Sequence, residues 1–314
     1  MKNAILGTDL SAASDKIIDN AIEFKLLGVR KIVLVHILNL RSTDDFSEYD
    51  LGSAQEKIDS QKKRLLGMGF EADTKIVMGV PAMELMRQAK IQEAGVVIIG
   101  YRGSSWSKST LGATASEVLH NIKCPVLLMA FSHEPDPKET EELFKEEVHH
   151  FEKFVRQFRQ KEPKVELLHK IVNQHVLLTT DFSDFSENSF EWLKTHMTSV
   201  PKLTILHIQD AVRIKHLENR LEEFNQIDTA RLERLRKEFR QVHPETVISN
   251  VLLYGNTKQL IPQYIKDNHV TLAVMGSQGR GYISEFFLGS VSLGVARLAS
   301  SNVLIIPFNK KLKP

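Results

Sequence analysis

In the second half of the chain, Gly276, two residues, Gly279, nine residues and the pair Gly289-Ser290 make a spacing suited to holding an oxyanion. Gly276 and Gly279 follow the apolar run "TLAVMG", and the missing Cβ lets backbone N–H groups come close to an anion there. Gly289, Ser290 and Val291 open the helix-like stretch "GSVSLGVARL". Its first amides and its dipole favour phosphate, and the Ser290 hydroxyl can donate to a ligand or cap the helix. Taken alone, such glycines read equally well as tight turns and helix starts. Asp181 adds a carboxylate after the run "HVLLTT", as Asp9 does after "NAILGT". A carboxylate so placed can accept from ribose hydroxyls or reach a phosphate-bound metal, or it can cap the next helix. Ser11 and Ser183 carry the same two readings.

The elements that must position these residues occur twice. "NAILGTDLSAASDKIIDNAIEF" from Asn3 parallels "HVLLTTDFSDFSENSFEWL" from His175, and "KIVLVHIL" from Lys31 parallels "KLTILHIQ" from Lys202. "DTKIVMGVP" then matches "VISNVLLYGN", "GVVIIGYRG" matches "TLAVMGSQG", and "LGATASEVLHNIKCPVLLM" matches "LGSVSLGVARLASSNVLII". A repeat of this length must be found before the fold is read. The apolar runs are short, β-branched and barely alternating, as in strands buried on both faces, and amphipathic helical patterns separate them. The expected fold is α/β: two tandem doubly wound, Rossmann-like domains, each with a five-stranded parallel sheet and ligands beyond the carboxyl ends of its strands. The boundaries fall at 1–131 and 171–314, with a charged helical linker at 132–170 whose Phe144, Val148, Phe151, Val155 and Phe158 share one stripe. A second long helix is expected over Leu217 to Val242, with Leu221, Phe224, Leu232, Leu235 and Phe239 on its apolar side and Pro244 beyond its end.

The order Thr-Asp-Phe-Ser, Leu-His-Ile, G-x2-G-x9-G-S and a last strand Val-Leu-Ile-Ile resembles the universal stress protein family, in its tandem two-domain form. The resemblance implies an ATP or AMP ligand, with or without Mg2+, a nucleotide-binding regulatory role in stress response, and pairing of domains through their last strands. It implies that Asp181 contacts ribose, that the backbone of Thr179 and Ile208 borders adenine, and that Gly276, Gly279, Gly289, Ser290 and Val291 hold phosphate. In the first half Asp9, Ile37, Gly100, Gly103 and Gly112 occupy the matching places. There, however, only eight residues separate Gly103 from Gly112, and Ala113 stands where Ser290 stands in the second half. That site is expected to be weaker or empty. Arg102 and Arg280 follow the turns and can add charge to a bound phosphate or lie at the surface. His36 and His207 read as satisfied strand-end histidines.

With 41 basic and 39 acidic residues the net charge is +2, which demands neither nucleic acid nor an anionic membrane as partner. Cys124 is the only cysteine, so no internal disulfide or multi-cysteine zinc site can form, and it reads as a packing residue. No run approaches the roughly 20 apolar residues of a membrane span, and a cytoplasmic location is expected. No catalytic residue or metal ligand is assigned. A non-nucleotide scaffold holding a protein client, a homodimer built on the paired domains, and a slow metal-dependent ATPase remain open as alternatives. The absence of a base with an orienting partner weighs against the last.

Overall fold

The computed structural model describes residues 3–39, 51–101, 111–121, 123–130, 174–210, 220–279 and 288–308. In the first half β1 (Asn3–Thr8), β2 (Lys31–Asn39), β3 (Glu71–Gly79), β4 (Val96–Gly100) and β5 (Val126–Met129) alternate with α1 (Ala12–Asp19), α2 (Leu51–Gly67), α3 (Pro81–Ile91) and α4 (Ala113–His120). A short 3-10 segment, Ala21–Leu27, follows α1. The second half repeats the plan with β6 (His175–Thr180), α5 (Asp184–His196), β7 (Lys202–Asp210), α6 (Leu221–Val242), β8 (Val247–Gly255), α7 (Thr257–Asp267), β9 (Leu272–Gly276), α8 (Ser290–Leu298) and β10 (Asn302–Ile306). The expected linker helix and Leu217 to Asn219 lie outside the described residues.

The short Val/Ile/Leu runs become strands covered on both faces: Ala4, Ile5 and Leu6, or Val303, Leu304 and Ile305, are essentially without solvent contact. Such strands need helical crossovers on both sides, and the order within each half is the doubly wound one. The halves do not end as two sheets. Strand order runs β3-β2-β1-β4-β5-β10-β9-β6-β7-β8, a single ten-stranded sheet in which only β5 and β10 run antiparallel. Val126, Leu127 and Leu128 face Ile305, Leu304 and Val303 across that seam. It is the last-strand pairing that the family resemblance implies, made here within one chain.

Side chains brace the seam from both edges. Asn302 accepts the Ala130 N–H at 2.9 Å and donates to Glu23, while the Tyr101 hydroxyl donates to the Ser301 carbonyl at 3.2 Å. On one flank the Thr198 N–H donates to the Leu26 carbonyl at 2.7 Å. The repeat extends to strained backbone. Leu10 and Phe182 carry φ of 58° and 57°, and Glu93 and His269 carry 47° and 49°, each pair at equivalent positions.

The helix stripes correct one detail of the sequence reading. In α6 the buried positions are Asp228, Leu232, Leu235 and Phe239, whereas Leu221 and Phe224 are only half-buried, with the Arg220 guanidinium 5.6 Å from the Phe224 ring. The buried spacing of four, three and four residues recurs in α2 as Ala54, Ile58, Gln61 and Leu65. Helix α6 packs on β7, β8 and α5. It is therefore a core-facing layer, with an acidic residue where α2 has alanine.

Candidate functional site

Strands β1 and β6 deliver Asp9 and Asp181 to the carboxyl edge of the sheet, as expected, but neither caps a helix. Ser11 and Ser183 are the N-caps of α1 and α5, accepting from the amides of Ser14 and Ser186. The aspartates act one step earlier. Asp181 Oδ1 accepts the Ser183 amide at 3.1 Å and its hydroxyl at 2.5 Å; Asp9 Oδ1 does the same with Ser11 at 3.0 and 2.5 Å. The residue between, Leu10 or Phe182, is the one that carries the positive φ at each of these turns.

The two carboxylates then differ. Asp9 gains a further bond from the Ser14 hydroxyl at 2.6 Å. In the second half the Ser186 hydroxyl instead donates to the Ser183 carbonyl and accepts from Thr180 Oγ1. Burial works to raise the Asp9 pKa, but the Ser11 and Ser14 hydroxyls outweigh it and hold the carboxyl below the ordinary 3.8. A depressed carboxyl stabilises the fold above its unfolded pKa and loses that contribution as pH falls through the folded value. Asp9→Asn is therefore expected to cost no more than about 1 kcal/mol near pH 7, given solvent screening. Denaturant titrations of both proteins at neutral and acid pH should show that difference shrinking toward about pH 3.

In the second half the glycine-bearing end of β9 and the start of α8 are tied together, and Gly279 approaches Asp181. At the end of β9 the Ser277 N–H donates to the Ile306 carbonyl at 2.8 Å, and the Ser277 carbonyl accepts the Gly289 N–H at 2.7 Å. The Ser292 hydroxyl donates to the Gly276 carbonyl at 2.8 Å. The first turn of α8 is thus bolted to the end of β9. Gly279 lies so close to Asp181 that a Cβ on it would stand 2.7 Å from Oδ2. Gly289 is the N-cap of α8 and has no side chain with which to cap it. The leading amides of α8 and the exposed Ser290 hydroxyl therefore stand available to an anion.

Strand alternation places the remaining residues on one face of the sheet. Ile208 and Leu177 belong to the apolar layer that also holds Leu288, Val295 and Ala296, so Thr179 and Ile208 share the α8 face of the sheet. In the first half Ile37 packs on the same layer and Gly100 ends β4. There the Gly112 N–H donates to the Tyr101 carbonyl at 2.8 Å, the counterpart of the Gly289 bond. Helix α4 therefore starts where α8 does. The missing residue falls between Tyr101 and Gly112, and the visible loss is the hydroxyl at Ala113. Gly103, Arg102 and Arg280 lie outside the described residues.

His36 and His207 are the satisfied strand-end histidines expected, with Nδ1 donating to the Thr8 and Thr180 carbonyls at 2.9 and 2.7 Å. What the sequence reading missed is Asp228, whose Oδ2 lies 3.4 Å from His207 Nε2. Its signal was present as a charged residue on the buried stripe of a helix. Cys124 packs against the α4–α8 layer, and burial pushes its thiol up to about 11, away from redox chemistry. Among the described residues no cluster of three acidic, histidine or cysteine side chains could hold a metal, and no helix is long and apolar enough to cross a membrane.

Comparison with known proteins agrees with this architecture. Universal stress protein MJ0577 of Methanocaldococcus jannaschii is 24% identical over 152 residues, covering 41% of this chain and 94% of its own length. Universal stress protein YxiE of Bacillus subtilis is 26% identical over 143 residues, 40% of this chain and 95% of its own. The crystal structure of a universal stress protein from Archaeoglobus fulgidus superposes with a TM-score of 0.62 at 20% identity, over 97% of both chains, so its tandem fold is shared. The model of the universal stress protein family matches residues 1–129 and again residues 173–307, and the chain belongs to that family through both of its halves.

Proposed function

We propose that this protein is an adenine-nucleotide-binding regulator of the stress response, and that ATP or AMP binds chiefly at the second half. The observation that carries the reading is the contact of Gly279 with the Asp181 carboxylate beside the uncapped start of α8. A ribose hydroxyl donor and a phosphate acceptor are offered partners side by side, at the spacing found in the ATP-binding branch of the family. Thr179 and Ile208 border the base, Asp181 accepts from ribose, and Gly276, Gly279, Gly289, Ser290 and Val291 supply amides and a hydroxyl to phosphate. Were Mg2+ to accompany the nucleotide, Asp181 is the carboxylate that would be offered to it. The first half keeps Asp9, Ile37, Gly100 and Gly112 but lacks the Ser290 hydroxyl, so its site is the weaker one. The protein acts by binding, without a catalytic base, in the cytoplasm.

Calorimetry with ATP, ADP and AMP, with and without magnesium, tests the reading against Gly289→Val/Ser290→Ala. One nucleotide per chain, lost in the double variant, is expected. No heat at millimolar nucleotide would sink the reading and favour a scaffold that holds a protein client.

A further inference from the structure

Both halves carry a threonine at the end of the first strand and a serine in the first helical turn after the aspartate, yet the serine hydroxyls have different partners. In each half the threonine Oγ1 accepts the amide of the residue with positive φ, Leu10 N–H to Thr8 at 3.1 Å and Phe182 N–H to Thr180 at 3.0 Å. Each hydroxyl then has a single proton to place. Thr180 donates to Ser186 Oγ at 3.1 Å, and Ser186 donates to the Ser183 carbonyl at 3.0 Å. Thr8 donates instead to Gln61 Oε1 at 2.9 Å. Ser14, left without that donor, accepts the Asp9 N–H at 3.1 Å and donates to Asp9 Oδ1 at 2.6 Å.

The difference traces to one position on the buried stripe of a helix. Gln61 is 2% exposed and stands between Ile58 and Leu65 in α2; the same stripe position in α6, between Leu232 and Phe239, is Leu235. A leucine offers a threonine hydroxyl no acceptor. The Gln61 amide is oriented by its other end: Nε2 donates to Asp15 Oδ1 at 3.1 Å, an oxygen that also takes Arg64 Nη1 at 2.9 Å, so Oε1 is the atom turned to Thr8. The consequence falls on Asp9. Its Oδ1 takes three donors, the Ser11 N–H at 3.0 Å, the Ser11 hydroxyl at 2.5 Å and the Ser14 hydroxyl at 2.6 Å. A carboxylate oxygen offers about two lone-pair directions, so this one is full. Donors crowded on a carboxylate stabilise its charge and make it a poorer acceptor for a further hydroxyl.

We propose that Gln61 is a positioning residue for the first-half site: by taking the Thr8 proton it leaves Ser14 to bind Asp9, and so fills the carboxylate that would otherwise accept from ribose. This weakens the first half's hold on a nucleotide in addition to the hydroxyl missing at Ala113. The inference rests on the nucleotide reading above.

Two variants of the full chain test it. Gln61→Leu copies the second half, and Ser14→Ala removes the donor outright. Carbon NMR of the nucleotide-free protein, with the Asp9 carboxyl assigned through Asp9→Asn, should show Asp9 titrating at higher pH in both variants than in the wild type. Gln61→Leu should add nothing once Ser14 is alanine, because both changes act on one bond. AMP calorimetry on the Gly289→Val/Ser290→Ala background, where the first half is left to bind, reads the ribose step. Each variant should tighten AMP there by at least about fivefold, the scale of an ordinary coupling. An Asp9 titration that Gln61→Leu does not move, or moves further on top of Ser14→Ala, overturns the relay. Affinity for AMP that stays level while the Asp9 titration rises overturns the ribose step. A wild type that binds no nucleotide at either half sinks the nucleotide reading and the ribose step with it, while the relay is still decided by NMR.

Discussion

Gly279→Ala is expected to weaken nucleotide binding by at least about tenfold, or about 1.4 kcal/mol, with a change in Tm of no more than about 2 °C. The new methyl would sit 2.7 Å from Asp181 Oδ2, a distance no real Cβ tolerates. The atom it meets is the end of a side chain, so the clash is relieved by swinging the carboxylate aside. That motion breaks the 2.5 Å bond to the Ser183 hydroxyl and withdraws the acceptor proposed for ribose. Fold stability changes little, because Ser183 still caps α5 through the Ser186 amide. Gly276 is different: its Cβ would meet the Phe185 carbonyl at 3.0 Å, and backbone cannot step aside as a side chain can. Calorimetric titration beside thermal melts separates the two outcomes. Unchanged affinity in Gly279→Ala would show that Asp181 has no part in binding.

Much of this arrangement was legible because the information is local. A buried parallel strand announces itself by an unbroken run such as "KIVLVHIL", and the repeat doubles every such signal. The placement of Asp9 and Asp181 at strand ends follows from their distance along the chain. The cap assignment did not follow, because whether Asp181 or Ser183 caps α5 depends on the left-handed φ of Phe182, and Phe is not a residue that advertises that conformation. The partner of Asp228 was illegible for another reason. The approach of that carboxylate to His207 is set by how α6 lies on β7, a register between two elements that no spacing in the sequence encodes. The helix reading put Leu221, Phe224, Leu232, Leu235 and Phe239 on its apolar side; the last three are buried, but the stripe continues through Asp228 and not through Leu221 and Phe224. The same limit applied to the seam. A last strand "VLLM" or "VLII" reads as one edge of a five-stranded sheet, and only the fold shows each serving as the other's neighbour.

That seam makes the second large effect a statement about the whole chain. Phe239→Ala should destabilise the protein by about 3–5 kcal/mol, because it removes a ring with no solvent exposure, packed 6.2 Å from Phe190 and 4.6 Å from the His243 ring. Its stripe counterpart in the first half, Leu65, is equally buried, and Leu65→Ala should cost about 2–5 kcal/mol. The apolar layer holding Phe239 also holds Leu65, and it passes through Leu127, Met129, Leu304 and Ile306 at the seam. Parting β5 from β10 would leave two apolar strand edges without partners, a costly and aggregation-prone state. The halves should therefore unfold together, and differential scanning calorimetry should record one transition that both substitutions lower. Two transitions, with Phe239→Ala moving only one of them, would mean that the ten-stranded sheet is two independent folds in contact; a single lowered transition means that a substitution far out in one half is felt at the proposed nucleotide site of the other.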